Sequence, residues 1–289
     1  MASSKKDYKK RFVSSSLSIV LIVALFMLAP YPFFKPLFAA ITAAIASVGI
    51  VEFARLLRGK QIFLNYKFLI LLTFAFCFLV LIAAHFTYLR SYLLLSIPIS
   101  FIALFFTTFK NPKGSLDHIA YSILLLVYLA LPMGLMVDMV YGIAIPEGSV
   151  TGLFWLAYLI IVAKSTDMLA LFTGRAWGQK KLCPHVSPNK TVVGAIGGVV
   201  GASFVSIVIA WATPLFLNKT FISLEMALLL GIIIGCVAEV GDLLESLFKR
   251  DAKIDESSNI LPGLGGILDV LDSLLLTTPV VWAAMRILS

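Results

Sequence analysis

The chain has 289 residues, of which 60 % are hydrophobic and only 13 % charged, and its mean hydropathy is +1.01. These values exclude an ordinary soluble domain, which needs charge spread along its helices to cover its surface. The formal net charge of +8 does not indicate a nucleic-acid partner, because the basic residues are dispersed over short connections with no long basic stripe.

Apolar windows of a length suited to crossing a bilayer fall at 12–32, 37–55, 66–85, 91–109, 118–141, 150–173, 191–215, 222–246 and 264–288. The pattern predicts an all-α, polytopic integral membrane protein with about nine transmembrane helices. The first window is followed directly by the second, with no small-residue cleavage site between them, and reads as a retained helix. The separators are short and carry breaker residues, such as Asn111-Pro112-Lys113-Gly114 and Pro146-Glu147-Gly148. Residues 1–115 are nearly free of intramembrane charge and read as scaffold, with Glu52 expected to pair with Arg55 or Arg58. Residues 116–289 read as the catalytic region of a single membrane domain.

With the N-terminus on the cytoplasmic side, eighteen of the twenty-three basic residues fall in connections on that side, as the positive-inside rule requires. That topology places two polar connections there, 174–192 and 247–266. Cys77, Cys183 and Cys236 form no CxxC pair and have no histidine at ligand spacing, so neither a disulfide framework nor a zinc site is suggested.

Eight of the fifteen acidic residues lie between 239 and 272. A carboxylate near the bilayer core costs several kcal/mol unless it is paired, bound to metal or facing water. Glu239 and Asp242 are i, i+3, Asp242 and Ser246 are i, i+4, and Lys249 follows one turn later, so all four can share a helix face. Asp269 and Asp272 repeat the i, i+3 spacing on the last span. Two helices can thus bring carboxylates to one point, as a hard, oxygen-ligated cation such as Mg²⁺ needs; an interhelical salt-bridge network is the alternative reading of the same spacing.

Between those spans stand Lys249 and Arg250, able to neutralise phosphate, and then Gly263, Gly265 and Gly266, which allow backbone N–H groups to approach an anion at a helix start. The earlier connection offers Arg175 for a bidentate phosphate contact, and Ser187, Asn189, Lys190 and Thr191 for charge and polar contacts. Lys164 and Asp167, one turn apart inside an apolar segment, open the same polar stretch, with an internal ion pair as the alternative reading.

The stretch Ser246-Leu247-Phe248-Lys249-Arg250 through Pro262-Gly263-Leu264-Gly265-Gly266-Ile267-Leu268-Asp269-Val270-Leu271-Asp272-Ser273 resembles the signature of the bacterial phosphatidate cytidylyltransferases (CDP-diglyceride synthetases). Gly174-Arg175 and Ser187-Pro188-Asn189-Lys190-Thr191 look like a second motif of that family. Three positions depart from it: Asp255-Glu256 in place of Lys-Asp, Leu264 in place of His, and Val270 in place of Arg.

The resemblance implies Mg²⁺-dependent condensation of CTP with phosphatidic acid to CDP-diacylglycerol and pyrophosphate, at the cytoplasmic face of a bacterial inner membrane. It implies Asp242 and Asp269 as metal ligands with Glu239 and Asp272 beside them, Lys249, Arg250, Lys190 and Arg175 on phosphates, and Ser187, Asn189, Ser246, Gly265 and Gly266 around the substrates. It leaves open a second, monovalent cation. A glycine-rich stretch from Gly194 to Gly201 makes a homodimer an option. The rival readings are a CTP-dependent lipid kinase and a transporter using the acidic cluster.

Overall fold

The computed structural model describes residues 20, 23–86, 88–89, 93, 96–108, 115–142, 148–254, 258 and 265–288. In chain order these form a 3₁₀ turn Pro32–Phe34, α1 Lys35–Arg58, α2 Tyr66–His85, α3 Ser96–Thr108, α4 Ser115–Tyr141 with a π-helical turn at Leu126–Ala130, α5 Gly148–Trp177, β1 Lys181–Cys183, β2 Ser187–Thr191, α6 Val192–Leu217, α7 Leu224–Asp251 and α8 Ile267–Leu288. Helices dominate because hydrocarbon offers the backbone no hydrogen-bond partners, so each span must satisfy its own N–H and C=O groups.

Seven helices among the described residues are long and apolar enough to cross a membrane. The expected span at 91–109 is represented by α3, which has only 13 residues. Of the expected span at 12–32, residues 12–19, 21 and 22 lie outside the described residues. The protein is thus all-α and polytopic, as expected; the one strand pair among the described residues is a small antiparallel hairpin in which Lys181 pairs with Thr191 and Cys183 with Ser187.

Two compact units divide the chain. The first comprises Met1–Leu153 and Ala252–Val270, the second Phe154–Asp251 and Leu271–Ser289; α8 therefore begins in the first and continues in the second.

In the first unit α2 starts where the Asn65 side chain accepts from the Phe68 N–H at 3.3 Å, capping one of the free N–H groups of the first turn. The core holds Ile50, Leu69, Leu129, Met133 and Leu268. Phe38 meets Tyr141 edge-on at 5.5 Å, and Leu129 and Leu268 close over Gly49.

In the second unit α6 and α7 approach closely because Gly231 and Gly235 admit the Ser203 and Val199 backbones. Tyr158 donates to the Ser206 hydroxyl at 2.6 Å, and Ser206 in turn donates to the Ala227 carbonyl, so the buried hydroxyls are satisfied. The opposite face of α6 exposes Ile196, Val200, Phe204, Trp211 and Leu215, an apolar stripe at helical spacing that suits lipid contact. Its glycines are used internally: a Cβ on Gly197 would sit 2.2 Å from Thr173 Oγ1, and one on Gly201 2.2 Å from Leu169 Cδ1. The glycine stretch thus packs α6 against α5 within the chain, which removes the reason it offered for a homodimer.

Candidate active site

The site is built on α7, which continues past the expected end at 246 to Asp251. The extension is helical because Lys249 reaches back one turn to Glu245 at 2.7 Å. Glu239, Asp242, Glu245, Ser246 and Lys249 consequently recur along one helix, and Ser246 Oγ donates to Asp242 Oδ1 at 3.4 Å. Helix α8 brings Asp272 alongside, at a point where Gly241 lies against the Asp272 carbonyl. Single carboxylate oxygens of Asp242, Glu245 and Asp272 all fall within 4.8 Å of one another.

Each member of this triad has its own lysine. Lys190, delivered by β2, stands 2.9 Å from Asp242 and 2.7 Å from Glu239. Lys249 holds Glu245 at 2.7 Å. Lys164, on α5, lies 3.5 Å from Asp272 and 3.0 Å from Asp167. Burial works to lower the Lys190 pKa, but the charges of Asp242 and Glu239 outweigh it and raise the pKa above the ordinary lysine value.

The Asp242 side chain is 31 % exposed, against 4 % for Glu245 and 12 % for Asp272, so the triad is open from the Asp242 side. Among the described residues, five carboxylates around it (Asp167, Glu239, Asp242, Glu245 and Asp272) pair with three ammonium groups, leaving two negative charges. An all-oxygen donor set with an excess charge of two matches a hard divalent cation.

Of the residues expected at the site, Asp242, Asp272, Glu239, Ser246, Lys190 and Lys249 come together in this unit. Arg250 instead donates through Nε to the Val186 carbonyl at 3.3 Å, tying the end of α7 to the hairpin. Arg175 is exposed in the last turn of α5, and on β2 Ser187 is half-buried and Asn189 exposed. Glu245, Asp167 and Ser273 were not singled out for the site. Glu245 was legible as the i+3 neighbour of Asp242 and the i−4 partner of Lys249.

The start of α8 belongs to the first unit and differs from the anion cradle expected there. Gly265 has φ +89, a region closed to most side chains. The Gly266 N–H donates to Asp269 Oδ2 at 2.6 Å, so Asp269 caps the first turn of its own helix. The Ile267 and Leu268 N–H groups donate to the two oxygens of Glu52 at 3.0 and 2.9 Å, and Ser258 Oγ donates to Glu52 as well. Glu52 is fully buried and serves this cap rather than a pair with Arg55 or Arg58. The Gly266, Ile267 and Leu268 N–H groups are thus taken by carboxylates of the chain itself, while Gly263 lies outside the described residues. Leu264, Asp255 and Glu256 lie outside the described residues.

The cytidylyltransferase family model matches residues 9–288. The chain belongs to the cytidylyltransferase family. A relative named phosphatidate cytidylyltransferase from Chlamydia muridarum is 32 % identical over 293 residues, covering 98 % of this chain and 94 % of that protein. Proteins of the same name from Chlamydia pneumoniae and Bacillus subtilis are 29 % and 28 % identical, covering 97 % and 98 % of this chain and 92 % and 99 % of their own lengths. The resemblance read from the signature around residues 246–273 is borne out, and it extends to the N-terminal half that hydropathy alone had linked to the family.

Proposed function

We propose that this membrane protein of the cytidylyltransferase family is a phosphatidate cytidylyltransferase, joining CTP and phosphatidic acid to give CDP-diacylglycerol and pyrophosphate. The observation that carries the chemistry is the carboxylate triad of Asp242, Glu245 and Asp272, each member held by a lysine. We further propose Mg²⁺ as the ion for that triad, with Glu239 keeping Lys190 in place. When bound, the ion neutralises phosphate oxygens and orients the nucleotide.

The lipid phosphate is already a nucleophile. One of its oxygens bonds to the α-phosphorus of CTP, the bond from that phosphorus to the β-bridging oxygen breaks, and pyrophosphate leaves with the electron pair. No strong base is required, so positioning and charge neutralisation are the main contributions the residues must make. Lys190 lies closest to the open side of the triad and is suited to a phosphate that arrives there; Lys249 and Arg250, at the end of α7, supply further positive charge for the departing pyrophosphate. Arg175, Ser187 and Asn189 are proposed as outer contacts to the substrates. Asp269, Gly265 and Gly266 are proposed to act through the first turn of α8.

The charge distribution along the chain supports a cytoplasmic N-terminus, a cytoplasmic active site and, for a family known here from bacterial relatives, the inner membrane. The test is product analysis. Protein in detergent with Mg²⁺, phosphatidic acid and CTP should release one pyrophosphate for each cytidylylated lipid. Release of CDP with a phosphorylated lipid would mean kinase chemistry and would refute the reading.

A further inference from the structure

Of the three lysines at the acidic site, Lys190 comes from β2, Lys249 from α7 itself, and Lys164 from within the membrane-spanning helix α5. Its Nζ is surrounded by Asp167 Oδ2 at 3.0 Å, Ser273 Oγ at 2.9 Å and Asp272 Oδ1 at 3.5 Å. The Ser273 hydroxyl also donates to Asp167 Oδ2 at 2.8 Å, which turns its lone pairs toward the ammonium. An ammonium has three N–H donors, and here three oxygens surround it. Asp272 is shared with the triad, so the ammonium stands directly beside the candidate metal position. Carboxylates gathered this closely in an apolar setting need compensating charge, and the three lysines leave an excess of two negative charges, which one divalent ion cancels.

We propose that Lys164 is a covalently tethered monovalent cation of this site, filling the place that a free monovalent ion would otherwise take beside Mg²⁺. The proposal rests on the reading of Asp242, Glu245 and Asp272 as the metal triad. Lys164 is a positioning residue: it holds Asp272 and Asp167 at one separation whatever the salt, and the enzyme then needs only a divalent ion.

Two measurements test this. In the first, the unaltered protein is assayed for transfer of α-phosphate label from CTP to lipid with saturating Mg²⁺, in N-methylglucamine, sodium, potassium or ammonium chloride at equal ionic strength. The expected rates agree within about twofold, well inside the span of ordinary surface-charge screening. A rate that depends steeply on potassium or ammonium would overturn the proposal without any variant being made.

In the second, Lys164→Ala leaves a lysine-shaped space lined by three oxygens and adds one uncompensated negative charge to the site. Its transfer rate is expected to fall on the order of a hundredfold and to recover with ammonium or methylammonium but not with tetramethylammonium. Its melting temperature in detergent should rise saturably with the same small cations, whereas that of Lys164→Met, which fills the space with an apolar chain, should not. A Lys164→Ala protein that folds and shows no size-selective response would overturn the proposal; if it does not fold, the salt series on the unaltered protein still decides. Should the unaltered protein transfer no label, the cytidylyltransferase reading fails, and the melting series still reports on Lys164.

Discussion

Replacing Glu52 with Gln tests whether the start of α8 is held by a carboxylate from α1. The substitution keeps the size of the side chain and one acceptor oxygen, but it puts an amide NH₂ where an oxygen now accepts from Ile267 or Leu268 at 3.0 or 2.9 Å. One hydrogen bond to a charged acceptor is lost, worth about 2 kcal/mol, and part of the favourable interaction with the helix dipole goes with it. Because Glu52 is fully buried and Leu268 is only 2 % exposed, water is poorly placed to substitute. A local loss of about 2 kcal/mol corresponds to roughly thirtyfold faster opening. Hydrogen–deuterium exchange in detergent should therefore show the Ile267 and Leu268 amides exchanging about thirtyfold faster, while amides of α6 keep their rates. Unchanged exchange at Ile267 and Leu268, or a uniform acceleration through the whole protein, would refute the cap.

Gly241→Ala would place a Cβ 2.5 Å from the Asp272 carbonyl, so α7 and α8 must part. Transfer activity should fall on the order of a hundredfold although no polar group is removed, and wild-type rates would contradict the packing described. Lys190→Met leaves the nearly buried Glu239 without its ammonium partner, a change expected to cost about 3 kcal/mol or more and to show as a lower melting temperature; an unaltered melt would mean the pair is not needed for the fold. Magnesium at about a hundred times its dissociation constant should stabilise the protein by about 2.7 kcal/mol, and Asp242→Asn should abolish most of that gain. Equal stabilisation of both proteins would place the ion elsewhere. Gly265→Ala, at φ +89 with a Cβ 2.6 Å from Asp269 Oδ2, should destabilise by about 1–3 kcal/mol, measurable by chemical denaturation in detergent.

The helices were legible because a span in hydrocarbon must be both apolar and long enough, and those two demands are visible in the residues. The window 66–85 coincides with α2, and most others differ by a few residues. The end of α7 was missed because polarity was read as a loop, whereas Glu245 and Lys249, four apart, form a helical pair there. Glu52 shows a deeper limit. Two of its three partners among the described residues are backbone N–H groups 215 and 216 residues away and the third is the Ser258 hydroxyl; a backbone donor leaves no mark in a sequence, so only the nearby arginines presented themselves as partners. The glycine turn before α8 carries two physical meanings at once, an anion cradle or a helix start capped by its own chain. Asp269, three residues after Gly266, is the detail that distinguishes them. The acidic cluster was recognisable by density alone, but its internal order, with one lysine for each triad carboxylate, depends on β2 and α5 reaching α7 and α8 in space.

The most direct test of the account compares the unaltered protein with Asp272→Asn for transfer of label from the α-phosphate of CTP into phosphatidic acid, with Mg²⁺ present and folding checked by the melting curve. The account predicts label in the lipid phase for the unaltered protein and a loss on the order of a thousandfold in the variant, the scale of removing a group that organises charge in the transition state. A folded Asp272→Asn protein that still transfers label at the unaltered rate would contradict it.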